Sequence, residues 1–101
     1  MSIEDEIREH AAEIEALRER LQILSVAAYV DIHGQNSDPV IVADLDTSKL
    51  QGYADRYFDM MFALMRMFGR EVDFWEKQMF DAERDVNQLK PVSLSVFRAT
   101  A

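Results

Sequence analysis

The sequence predicts a mainly α-helical fold. An N-terminal heptad helix packs on one very long C-terminal helix that kinks, if anywhere, at Gly69, and a short β element comes from the connector and the tail. Three observations carry this. Apolar residues with His10 recur at steps of four and three from Ile3 to Ala28, a narrow buried helical stripe. A second apolar seam runs from Leu50 to Val86. Between them lie a Gly/Pro-containing breaker cluster, His33 to Pro39, and the β-branched run Val40-Ile41-Val42.

The first helix is placed at residues 2–28. Ser2 caps it and Asp5, three residues on, completes a capping box. Glu4, Asp5 and Glu6 lie in the first turn, where the helix dipole favours acids. Glu4/Arg8 and Glu15/Arg18 are spaced for ion pairs along the surface. Such a seam serves a helix on its own chain's partner or an intermolecular coiled coil equally well.

The connector is residues 29–47. Tyr29 to Ile32 fit either a last helical turn capped by Gly34 or a short strand. Val40-Ile41-Val42 reads as a short buried strand. The long helix is placed at 48–89, opened by Ser48 with Gln51 and stopped by Pro91 after Lys90. At 100° per residue its apolar arc between residues 57 and 75 spans about 240°. The tail, 91–98, alternates apolar and polar residues as a half-buried strand does, and is expected to pair with residues 40–45. The whole chain, 1–101, reads as one small domain.

Composition narrows the function. With 101 residues the chain is too short for a dinucleotide-binding enzyme domain. It has no cysteine, so disulfides, thiolate catalysis and zinc-finger or iron–sulfur chemistry are excluded. Nineteen acids against eleven bases give a net charge of −8, which disfavours direct nucleic-acid contact. The acidic start, Ser2 to Glu6, lacks the basic character of a signal peptide, and no apolar run approaches the ~20 residues of a membrane span. A cytoplasmic protein with no membrane partner is expected.

Few residues suggest reaction chemistry. The run Val40 to Ser48 resembles the first motif of haloacid-dehalogenase-type phosphotransferases, a hydrophobic strand followed by two aspartates. That resemblance implies Asp44 as nucleophile and Asp46 as acid/base, but it covers nine of 101 residues, and the family fold needs more chain than this. Asp and Ser leading into a capped helix are the preferred reading. The same residues mimic an early calcium loop, but Lys49 stands where glycine is needed and Asp55 where glutamate is. Neither histidine follows a glutamate by three residues, so a di-iron site is absent. No catalytic residue, metal site or cofactor is expected, and the chain is read as non-enzymatic.

The methionines and aromatics of residues 57–75 are the main functional signal. They predict a small acidic oligomeric interaction protein, an inhibitor, adaptor or assembly subunit. In size and charge it is similar to small phage-encoded antagonists and virion subunits, a likeness of class without a motif. The expected interface is Met60, Phe62, Met67, Phe74 and Trp75, meeting a second copy through a twofold contact and reaching another protein. Replacing Met67 and Phe74 with Glu is then expected to leave a folded monomer. The alternative is a helical bundle binding a nucleotide-like or apolar small molecule, with Arg66 and Arg70 as its ligand-binding residues. Mimicry of nucleic acid ranks last, because acids on the long helix are interleaved with arginines.

Overall fold

The computed structural model describes residues 2–33, 38–46, 48 and 51–94. It corrects the mainly α-helical expectation: this is a mixed α/β protein built on a four-stranded sheet. The helices are α1 (Ile3–Glu9), α2 (Ala11–Arg20), α3 (Tyr53–Phe68) and α4 (Lys77–Glu83). The strands are β1 (Ser25–Asp31), β2 (Val40–Asp44), β3 (Asp73–Glu76) and β4 (Leu89–Val92), with one 3-10 turn at Val86–Gln88. Strand order is β3-β2-β1-β4; β1 is antiparallel to β2 and β4, and β2 is parallel to β3.

The start of the chain forms as its residues dictate. Ser2 and Asp5 close the capping box, and Arg8 meets Glu4 at 2.6 Å. Arg18 meets Glu15 at 2.7 Å and also donates to the Ile23 carbonyl, tying α2 to the next turn. Ile7, Ile14 and Leu17 are buried, as the seam predicts. The single helix over 2–28 does not form. It breaks at His10, which caps α1 and packs edge-on to Phe68 with ring centroids 5.0 Å apart. It ends before Gln22, whose φ of 57° is left-handed and turns the chain into β1. Leu24, assigned to the seam, is exposed.

The helix over 48–89 is likewise replaced by α3, β3, α4 and the start of β4. Gly52 precedes Tyr53, and Ser48 caps no helix. Gly69, φ 64°, ends α3 in a left-handed C-cap, its N–H donating to the Met65 carbonyl. Beyond it, Phe74 pairs in register with Ile41 and Trp75 with Val42. Lys90 and Pro91 belong to β4 rather than to a helix end. The tail strand of 91–98 is met only by Pro91 and Val92; residues 95–98 lie outside the described residues. It pairs with β1, not with residues 40–45.

The sheet is covered on both faces. Ile41 and Ala43 join Ile7, Ile14, Leu17, Met60, Leu64 and Phe68 under α1, α2 and α3. On the other face Val40 and Val42 pack with Phe80 of α4 and Leu89. That explains the unbroken apolar run of β2: both its faces are buried. The two edges differ. Pro91 and Lys90 blunt the β4 edge. The β3 edge carries Asp73-Phe74-Trp75-Glu76 with α3 standing beside it.

Candidate binding cleft at the β3 edge

The turn at Gly52 starts α3 with Tyr53, Ala54, Tyr57 and Phe58, while β3 brings Phe74, Trp75 and Glu76 to the sheet edge. Together with Asp73 and Met79 of α4 these residues line a cleft of about 450 Å³, within the size range of ligand sites. All four β3 residues border it, so it straddles the strand edge. The Asp73 N–H donates to the Pro39 carbonyl at 2.9 Å. Alternation along the strand then turns the Phe74 N–H and C=O toward the open side, where an added chain could pair with them.

The walls are aromatic. Tyr57 lies 5.1 Å from Phe74 and 5.3 Å from Phe58 between ring centroids. Phe58 stacks at 6.3 Å on Phe62, and both are about half exposed, at 49% and 53%. The Trp75 indole N–H donates to Asp73 at 2.8 Å, and Asp73 also approaches Arg84 at 3.8 Å.

Glu76 is the buried charged residue of the cleft, 7% exposed. Its Oε2 accepts from the N–H groups of Gln78 and Met79 and caps α4. Its Oε1 is buried with no hydrogen-bond partner. Burial, with the neighbouring Glu76 carboxylate second, pushes the Tyr53 phenol above its ordinary pKa.

The sequence-assigned residues scatter over this structure. Phe74 and Trp75 reach the cleft. Phe62 lies on the outer face of α3. Met60 is fully buried beneath the sheet and offers no surface, and Met67 is part-buried against the same core. Arg66 is exposed, beside a depression with Arg20, Asp59 and Phe62. Arg70 points elsewhere, pairing with Asp38 at 3.3 Å and Glu6 at 3.8 Å. Asp46 accepts from the Ser48 N–H at 3.1 Å in a local turn, instead of leading into the capped helix expected of that run, since α3 opens at Gly52 without a side-chain cap. His10 approaches Glu13 at 3.0 Å, and His33 is exposed. Among the described residues no three His, Asp or Glu side chains gather as a metal site requires.

Sequence reasoning missed Tyr53, Tyr57 and Glu76. Tyr57 was visible as an apolar seam member, but nothing local singles out Glu76, which is buried only where β3 meets α4. No protein-family model, curated protein or solved structure matches the chain. Among the described residues no helix is long and apolar enough to cross a membrane.

Proposed function

We propose that the chain is a non-enzymatic interaction protein, an inhibitor, adaptor or assembly subunit of the cytoplasm, whose β3-edge cleft receives an extended segment of another polypeptide. The observation that carries this is the cleft itself: five aromatic side chains and Met79 along the outer edge of β3. Strand addition supplies main-chain hydrogen bonds, and the aromatic wall takes alternate side chains. Asp73 and Glu76 in the cleft, on a chain of net charge −8, favour an apolar segment of basic character.

Selection of a random peptide library against the protein tests the reading. Enriched peptides are expected to combine β-branched or aromatic residues with basic ones. Their binding is expected to fall about tenfold or more in Tyr57→Ala, since an aromatic contact at the centre of an interface dominates its energetics. Enrichment of acidic peptides, or binding indifferent to Tyr57, overturns it.

A second reading, self-association, rests on a different observation. The outer face of α3 presents Asp55, Phe58, Asp59, Phe62 and Arg66, all exposed. The acids lie toward one end, the arginine toward the other and the stacked phenylalanines between. An antiparallel second copy of α3 sets Arg66 against the partner's acids with the aromatic rings in contact, as a twofold interface requires.

A further inference from the structure

The anchor of the partner segment is written in the chemistry of the cleft. We infer that it is a lysine side chain, its methylenes lying on the aromatic wall and its ammonium meeting Glu76. This rests on the proposed binding role of the cleft and specifies what binds there.

Three features converge. The wall of Tyr53, Tyr57, Phe58, Phe74 and Trp75 offers ring faces and edges on which an alkyl chain packs and a cation is attracted. Within that wall Glu76 is 93% buried, yet its Oε1 has no donor; a carboxylate oxygen held dry without a partner is costly. The neighbours do not supply the donor. Arg56, whose charge also reaches Tyr53, makes no hydrogen bond to Oε1, nor does the Tyr53 phenol, and Asp73, engaged by the Trp75 indole and Arg84, is itself an acid. A flexible cation supplies the missing donor. Met79, unbranched and 51% exposed, borders the cleft and can swing aside to admit it. Lysine suits the site better than arginine, because Oε2 is already occupied by α4 and only one oxygen is free, whereas a guanidinium fork is suited to both.

Trp75 is the single tryptophan of the chain and lines the cleft, so its emission reports occupancy directly. The probes are three blocked peptides, acetyl-Thr-Val-Xaa-Val-Thr-amide, with Xaa lysine, norleucine or glutamate. Norleucine keeps the alkyl chain and removes the ammonium. The lysine peptide is expected to bind at least about tenfold more tightly than the norleucine peptide, the scale of one hydrogen bond to a charged group, and the glutamate peptide most weakly. In Glu76→Gln the lysine preference is expected to shrink to about twofold or less. In Asp59→Asn, which removes the same charge from exposed α3 surface, it is expected to persist.

Equal binding of lysine and norleucine peptides overturns the lysine anchor and leaves the cleft as an apolar binding site. Failure of all three to perturb Trp75 removes the binding role itself. Loss of preference in Asp59→Asn to the same degree as in Glu76→Gln also overturns the anchor, since the preference is then a general field effect. Circular dichroism checks that Glu76→Gln folds. If it does not, the lysine-to-norleucine ratio in the wild type decides, with magnetisation transfer from the lysine ε-methylene to the Tyr57 or Trp75 ring required in support; its absence overturns the assignment.

Discussion

Tyr53, the first residue of α3, and Glu76, the last of β3, border the same cleft, and the Glu76 carboxylate helps hold the Tyr53 phenol protonated. They are twenty-three positions apart, and the α3–β3 connection brings them together. The relationship is measurable without any ligand. Tyr53 is expected to ionise later than an ordinary phenol. Because its folded pKa is raised, the associated stability is present below the unfolded value near 10 and is lost as pH rises through the folded one. Site-resolved tyrosine NMR across alkaline pH checks this. Glu76→Gln is expected to lower the Tyr53 midpoint while leaving burial, the larger cause, in place; an unchanged midpoint shows that the carboxylate does not act on the phenol.

The left-handed C-cap at Gly69 is expected to cost stability when given a side chain. Nothing lies within 4 Å of a Cβ placed there, so the penalty is conformational alone. Gly69→Ala is expected to destabilise by about 1 kcal/mol and Gly69→Asn by less, since Asn tolerates this conformation best. Urea unfolding measures both. A more stable Gly69→Ala protein would mean that α3 runs on past this residue.

Phe80 is expected to be the side chain on which α4 depends. It is 2% exposed, stacks on Tyr29 at 5.2 Å and meets Trp75 edge-on at 6.1 Å. Phe80→Ala is expected to cost about 3–5 kcal/mol, as large-to-small core changes do. Met79→Ala, one residue away but half exposed, is expected to stay within about 0.5 kcal/mol. Comparable losses at the two positions would contradict the burial of this face.

Self-association through α3 predicts that Phe62→Glu abolishes a dimer and keeps the fold. The charge enters a half-exposed position with no core to disrupt. Analytical ultracentrifugation at graded concentration and salt reads it. A wild-type protein that sediments as a monomer at high micromolar concentration removes this reading. Glu at Met67 or Phe74, expected from the sequence to yield a folded monomer, is instead expected to destabilise the fold, because both pack against the core.

What the sequence determined by itself was local. The Ser2–Asp5 capping box, the Glu4–Arg8 and Glu15–Arg18 pairs and the buried positions Ile7, Ile14 and Leu17 follow from spacings of three and four, which fix neighbours on a helix whatever else the chain does. The β-branched run at 40–42 became β2 for an equally local reason. Two of the nine cleft residues, Phe74 and Trp75, were also singled out, though as a helical interface. What the tertiary structure decided was which period the ambiguous stretches obey. Ala28 and Trp75 fit helical seams, and alanine favours a helix. Yet Ser25–Asp31 lies between β2 and β4, and Asp73–Glu76 lies along β2. Pairing across a sheet joins residues far apart in the chain, and burial against Ile41 and Val42 outweighs fractions of a kilocalorie of local preference. Glu76 shows the same limit. No spacing in the sequence marks its carboxylate as buried, and only the junction of β3 with α4 buries it beside an aromatic wall.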